Sequence, residues 1–446
     1  MTTTRRVGLG FRPEIAVELM ARPGVVDLVE VVAETCFTQR TTRREACALT
    51  EVWAVIPHGV KLSLGSADGV DIERARRLGA LAKDLRAPFI SEHVAFSRGG
   101  DVEIGHLTQL PRTRAAIAVV AANVDRVRRV FPEIPLYLEN VAWSFLWPDD
   151  EMDEPTFYQE IVAATGCKLL LDLGNLYANA VNEGLDPLEV ARRYPLGDVG
   201  MVHVAGGVRE HGFYFDTHAH PIPSEVFALV AEVAPDVPVL IERDASFCFV
   251  ELERELAALR TIATRPHAEA LSTARAVTID ATASATLAEQ QRELAGQLVR
   301  GESRTALAER IGADAMNRSR GILQRKRVDD ALPLLATLIR QSTSRTRDVA
   351  AAVLASTPRP TRGAGLADAW RVAQGALTQP DLADAAAIDL LVLRARFTGP
   401  QNDGQLSPRV APFIGSARTR DGRRIRAIKG IGARARVHLH ETRKHT

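Results

Sequence analysis

Cysteine is scarce: Cys36, Cys47, Cys167 and Cys248 are the only four in 446 residues, and no two form a CxxC pair. Such spacing excludes a disulfide scaffold and gives no sign of a thiolate zinc site. A run of about 18 uncharged apolar residues is also lacking, so no membrane-spanning helix is expected. The opening MTTTRRVGLGFRPEIAVEL meets Pro13 and Glu14 before a signal-like apolar core can form, and a cytoplasmic protein is expected. GxxxxGK[ST] and GxSxG are absent, which removes local support for a phosphate loop or a serine hydrolase. GLGFRP lacks the GxGxxG spacing of a dinucleotide site. With 46% hydrophobic and 25% charged residues the composition is that of an ordinary soluble globular protein.

Charge of one sign is lacking overall, at net +1, but the balance is uneven along the chain. Residues 1–265 hold 27 Lys and Arg against 38 Asp and Glu, a net of −11, whereas residues 266–446 hold 29 against 17, a net of +12. Regions of opposite sign can attract one another, or the basic one can recruit an acidic partner for the other to process.

The first 250 residues alternate short β-branched or leucine-rich runs with longer helical stretches, the pattern of βαβ units and a parallel sheet. Eight runs are expected as strands: Val7–Phe11, Leu28–Val32, Val55–His58, Phe89–His93, Leu136–Glu139, Leu169–Asp172, Met201–His203 and Val239–Glu242. Eight strands with intervening helices predict a (β/α)8 TIM barrel, with an open doubly wound sheet as the alternative. FVELERELAALRTIA, after Cys248, reads as the closing amphipathic helix.

The barrel domain is therefore placed at residues 1–265, a linker rich in Ala, Ser and Thr at 266–289, and a basic, mainly helical accessory domain at 290–446. PRPTRGAG at 358–365 breaks the helical composition. From Gly404 onward there are 11 Lys and Arg against 2 Asp and Glu, and alternation in RRIRAIKG and ARVHLHE predicts a small basic β-hairpin. The tail lacks the aromatic interleaving of a base-stacking surface, which argues against nucleic acid as the partner.

The informative polar residues lie at the strand ends. PHG, SEHV, YLENV, LLDLGN, MVHVAG and LIERD place His58, His93, Glu139, Asp172, His203 and Glu242 directly after apolar runs. All six would sit at the C-terminal rim, where barrel enzymes hold their active sites. Buried carboxylates at such ends need a compensating charge, which metal cations supply. FYFDTHAHP adds Asp216 and His218, two apart and on one side of an extended segment. Imidazole and carboxylate without thiolate suit zinc, manganese or nonheme iron, and the number of groups exceeds what one ion needs.

Singly, each histidine also fits a hydrogen-bonded structural role; the concordance of six positions favours the metal reading. Asp244 shares the face of Glu242 and is a candidate general base or a carboxylate supporting the ligands. Glu30 and Glu34 could face the barrel mouth, although a solvated loop position equally accounts for Glu34. His106, His211 and His220 lack the strand-end context and read as loop or supporting residues.

In order, PHGVKLSLGS, SEHVAF, LYLENVAWSF, LLLDLGNLYANAVN, HVAGG, DTHAHPIPSEVF and LIERD resemble the multinuclear nonheme iron-dependent oxidases typified by the methanobactin-biosynthesis oxidase. That barrel is in turn similar to endonuclease IV and xylose isomerase. The resemblance covers about residues 5–250 and does not extend beyond about residue 266. It implies two or three irons of mixed Fe(II)/Fe(III) state: Glu139 bridging, one iron on His58 and His93, another on Asp172, His203 and Glu242, and a weaker third position at Asp216 and His218. Asn175 stands where the endonuclease relatives place a histidine, which implies a loosened third site. The family's usual SDH is SEH in this chain, and its Asn-Asn is Gly174-Asn175.

The resemblance further implies an O2-consuming enzyme that modifies a residue, typically cysteine, of a ribosomally made precursor peptide. Such enzymes generally work with a peptide-recruiting partner protein, a role that residues 290–446 would supply within the same chain. The alternative from another class is a zinc- or manganese-dependent phosphodiesterase or sugar isomerase on the same barrel. A region at net −11 is poorly suited to gripping a polyanion. A third reading is a binding module whose metals are structural.

Overall fold

The computed structural model describes residues 4–38, 40–266, 280–301, 305–357, 364–399, 406–433 and 435–442. Eight strands form a closed barrel: β1 (Val7–Gly10), β2 (Leu28–Val32), β3 (Ala54–Gly59), β4 (Ile90–His93), β5 (Leu136–Glu139), β6 (Lys168–Asp172), β7 (Val199–Val204) and β8 (Val239–Ile241). Each pairs in parallel with its neighbours in chain order, and β8 pairs with β1. Parallel neighbours need a crossover, supplied by helices such as Ile72–Asp84, Arg114–Arg128 and Glu154–Thr165. These helices begin where Asp71, Thr113 and Asp153 accept hydrogen bonds from backbone N–H groups three residues ahead. The protein is thus a TIM barrel followed by a helical region and small antiparallel sheets.

Side chains two apart on a strand share a face, and the barrel uses this to stack an apolar floor beneath a polar layer. Leu28, Ile56, Phe89, Leu170, Met201 and Leu240 pack together inside the cylinder, with Tyr137 against them. Two residues further along the same strands come Glu30, His58, Ser91, Asp172, His203, Glu242 and, above Tyr137, Glu139, all buried. β1 contributes glycine to both layers. A Cβ on Gly8 would lie 2.8 Å from Leu28 Cγ, so the floor closes only because that side chain is missing.

Two hairpins were not anticipated from sequence. Strands Ala95–Gly99 and Val102–Gln109 follow β4, and Val208–Glu210 and Phe213–Phe215 follow β7. The chain divides into two compact units, one of residues 1–100 with 107–292 and the other of residues 101–106 with 293–446. Of the linker expected at 266–289, residues 267–279 lie outside the described residues, whereas 281–289 begin the helix Ala281–Ala295. Gln291 on that helix is buried and joined to the barrel unit by hydrogen bonds with Gly65 O and Ala67 N, at 2.8 and 2.9 Å.

The second unit has its own core, in which Leu338, Ala350, Leu354, Trp370, Val372 and Ala376 pack together. Arg327 and Asp368 are buried there as a bidentate pair at 2.9 and 3.0 Å, and Arg327 also donates to Leu354 O and Thr357 O. Much of the helix-breaking segment expected at 358–365 lies outside the described residues. The basic hairpin is present as β10 (Arg424–Lys429) and β11 (Val437–Thr442), with a third strand, β9 (Phe413–Arg418), on the other side of β10. One face of this sheet packs Ile425 and Ala427 against Leu391 and Ala395. No helix among the described residues is long and apolar enough to cross a membrane.

Candidate metal centre

The polar layer above the barrel floor gathers ligand-type atoms within 4.8 Å of one another in three overlapping sets: His58, His93 and Glu139; Glu139, Asp172, His203 and Glu242; and Glu30, His58 and Glu242. Glu139 joins the first two. Its Oε2 lies 3.6 Å from His58 Nε2 and 3.4 Å from His93 Nε2, while its Oε1 lies 3.1 Å from His203 Nδ1. Glu30 adds a carboxylate that sequence reading left outside the ligand set, with Oε2 3.3 Å from His203 Nε2 and 3.8 Å from His58 Nδ1.

Neighbouring groups fix the orientations. His58 Nδ1 is 2.9 Å from Ser91 Oγ, and His93 Nδ1 is 3.2 Å from Gly59 O. In each case the Nε2 atom is the one that faces Glu139. Glu92 accepts hydrogen bonds from the His93 and Leu62 N–H groups, so the acid in SEHV braces the loop while the next residue reaches the cluster. Asp172 Oδ1 accepts from Asn175 N at 2.7 Å, and Asn140 holds the Asp172 backbone. A side chain on Gly174 would press on Asp172 Oδ1 at 3.1 Å and on Ala205 N at 3.2 Å.

Burial and mutual charge set unusual protonation. Burial opposes ionisation of Glu139, but His93, His203 and His58 outweigh it and hold this carboxyl well below the usual range. Asp172 is pushed up to about 8 by burial, then by the nearby acids Asp216, Glu139 and Glu242. Burial works against protonation of His93, yet Glu139, Glu92 and Glu242 raise it to about 9. His203 is likewise raised, against burial, by Glu30, Glu139 and Glu242. Without a cation the layer therefore balances its acids with protons on imidazole and on Asp172.

The remaining sequence candidates lie to one side. His218 is hydrogen-bonded through Nε2 to Asp216, and its Nδ1 lies 3.3 Å from Glu242 Oε2 and 3.5 Å from Asp244 Oδ2. This pair thus meets the cluster at Glu242. Asn175 spends its amide NH2 on Asn140 O at 3.0 Å, leaving only its side-chain oxygen for any further role. Asp244 is half exposed and ion-paired with Arg12. Burial opposes its ionisation, but His218 and Arg12 hold it well below the ordinary range. Glu34 is not a free loop acid, since it accepts from Val60 N at 3.2 and 3.3 Å. His220 bonds Thr217 and His211 forms a left-handed turn, in keeping with their expected loop roles.

Val94 and Val141, close in sequence to His93 and Glu139, line a small, partly open pocket of about 30 Å³, with Trp143, Phe145, Glu154 and Tyr158 also in its walls. Glu154 is buried there and pushed up to about 7 by desolvation, against the hydrogen bonds it receives from Tyr194 and Asn179.

The chain is 40% identical over 272 residues to a UPF0276 protein of Streptomyces avermitilis, a match that covers 58% of this chain and 55% of that protein. It is 36% identical over 242 residues to a UPF0276 protein of Caulobacter vibrioides, covering 53% of this chain and 86% of that protein. The chain thus spans little more than half of the Streptomyces relative. Among solved structures it is similar to endonuclease IV from Thermus thermophilus, with a TM-score of 0.38, 17% identity, and 58% of this chain and 98% of that chain covered. A xylose isomerase domain protein from Planctomyces limnophilus gives a TM-score of 0.39 and 14% identity, with 57% and 95% covered. The sequence pattern of the RiPP precursor modification enzymes MbnB/TglH/ChrH matches residues 6–264, more than half of the chain, and the chain belongs to that family.

Proposed function

We propose that the protein is a multinuclear, iron-dependent and O2-consuming oxidase that modifies a residue, cysteine in the first instance, of a ribosomally synthesised precursor peptide. The observation that carries this reading is Glu139, buried between His58 and His93 on one side and His203 on the other. A single carboxylate so placed can be shared by two cations. The donor set fits such ions chemically: Glu139 Oε2, Asp172 Oδ2 and His203 Nε2 are buried without a hydrogen-bond partner, and no thiolate joins them. Buried polar atoms of this kind are costly unless something else engages them.

In this reading His58, His93 and Glu139 hold one ion, Glu139, Asp172, His203 and Glu242 a second, and Asp216, His218 and Asn175 border a third, weaker position. Iron in these ligands would supply oxidation with O2, whereas zinc would supply only Lewis-acid chemistry. Asp244, held ionised by Arg12 and His218, orients His218 rather than taking the substrate's proton. The accessory region, residues 290–446, would recruit the precursor in place of a separate partner protein.

The test is elemental analysis and Mössbauer spectroscopy of protein from iron-supplemented cells, with O2 uptake and peptide mass followed on addition of the cognate precursor. Iron at two or more equivalents and an oxidative mass change are expected. Zinc alone at full occupancy, or iron with no O2 uptake, would overturn the reading.

A further inference from the structure

The sheet formed by β9, β10 and β11 turns one face to its own helical core and the other to solvent. The register gives the outward face as three rows: Ile414, Ile428 and His438; Ser416, Arg426 and His440; Arg418, Arg424 and Thr442. Along β10 the alternation is strict, with Arg424, Arg426 and Ile428 exposed while Ile425, Ala427 and Lys429 are buried. Glu441 belongs to the opposite register, beside Ile425. The outward rows thus hold three arginines, two histidines and no acid. The Arg424 guanidinium donates to the Ser416 hydroxyl, at 3.3 and 3.4 Å. One end of the face is apolar, with Ile414 79% exposed and its cross-strand partner Ile428 39% exposed.

An ordinary solvated face mixes both signs of charge and keeps isoleucine inside. We infer that this sheet face is a docking surface for an acidic peptide segment, in which apolar side chains lie over Ile414 and Ile428 and carboxylates meet Arg418, Arg424 and Arg426. Charge complementarity selects an anionic partner. Side chains spaced at the strand repeat match an extended chain, whose alternate residues point to one side. The face has no outward aromatic ring, since Phe413 is turned inward, so it lacks the stacking platform that single-stranded nucleic acid uses. This inference rests on the reading that the enzyme works on a peptide and names the part of the accessory region that would hold it.

The experiment uses the full-length protein and four probes: a fluorescein-labelled peptide with a leucine-rich half and a Glu/Asp-rich half, the same peptide with Lys for each acid, poly(U), and vesicles containing phosphatidylserine. Anisotropy with the acidic peptide should show binding that weakens as salt rises. In the Arg418→Glu/Arg424→Glu/Arg426→Glu variant binding should fall at least about ten-fold, with no binding of the Lys peptide by the wild type. Should that variant misfold, Arg418→Gln/Arg426→Gln, a milder change on the same exposed face, should give a smaller loss of the same sign. Unchanged binding in either folded variant overturns the inference. So does capture of poly(U) or vesicles through these arginines without capture of the acidic peptide. Metal content and precursor oxidation are measured on the same samples: a metal-loaded oxidase that ignores the acidic peptide refutes the docking surface alone, and a peptide binder without O2 uptake refutes the oxidase alone.

Discussion

Asn140 and Asp172 are tied together by two hydrogen bonds: Asn140 Nδ2 donates to the Asp172 carbonyl at 2.9 Å, and the Asp172 N–H donates to Asn140 Oδ1 at 2.8 Å. Both residues are fully buried, so the side chain that follows Glu139 sets the height at which Asp172 enters the polar layer. Asn140→Ala removes both of these buried hydrogen bonds and should cost about 2 kcal/mol in urea unfolding, with reduced metal content. Wild-type stability in this variant would show that water replaces the amide.

Removing the shared carboxylate should hurt more than removing its neighbour. Glu139→Gln leaves His93, His203 and His58 facing a neutral amide, and metal analysis should find both principal positions depleted. Glu30→Gln touches only the side of the layer near His203 and His58, so partial depletion is expected. Equal metal loss in the two variants would argue against Glu139 as the joining group.

The protonation pattern gives a pH dependence of definite sign. In the metal-free protein His93 is raised to about 9 and Asp172 to about 8, so the folded form binds these protons more tightly than the unfolded chain. Stability from such groups is complete below their unfolded values and is lost as pH rises through the folded ones. The urea midpoint of metal-free protein should therefore decline from about pH 4 through Asp172, and continue to fall to about pH 9 through His93. Metal binding displaces the same protons, so the loaded protein should show a flatter profile and take up metal more strongly at the alkaline end. A midpoint that rises over this range would contradict the assignment.

Gly59 is required by space rather than by backbone conformation. A Cβ there would come within 2.5 Å of Glu92 Oε2, the oxygen that holds Leu62 N. Gly59→Ala should destabilise by about 1–3 kcal/mol through overpacking. It should also disturb His93, whose ring contacts the Gly59 carbonyl, and a drop in metal content alongside unfolding data would show this.

Much of the barrel was legible because strand ends announce themselves: strands end at His93, Glu139 and Asp172, and His58 and His203 each stand one residue before the end of theirs. Glu30 was passed over as a ligand because LVEVV continues apolar beyond it, so nothing local distinguishes an inward acid from an outward one. Its companion Leu28, two residues earlier in the floor, is the signal that finds it. Asp244 was placed on the face of Glu242 by spacing, but its partner Arg12 stands 232 positions away, beyond the reach of any spacing argument. β9 was missed since FIGSAR alternates small residues rather than large ones, and only pairing with β10 makes it a strand.

The packed floor of Leu28, Ile56, Phe89, Leu170, Met201 and Leu240 seals the cylinder from below. Ions and peptide would then reach the polar layer from the rim side. A chelator and a peptide would queue for that entrance, so a tightly held product should slow the stripping of ions from the protein.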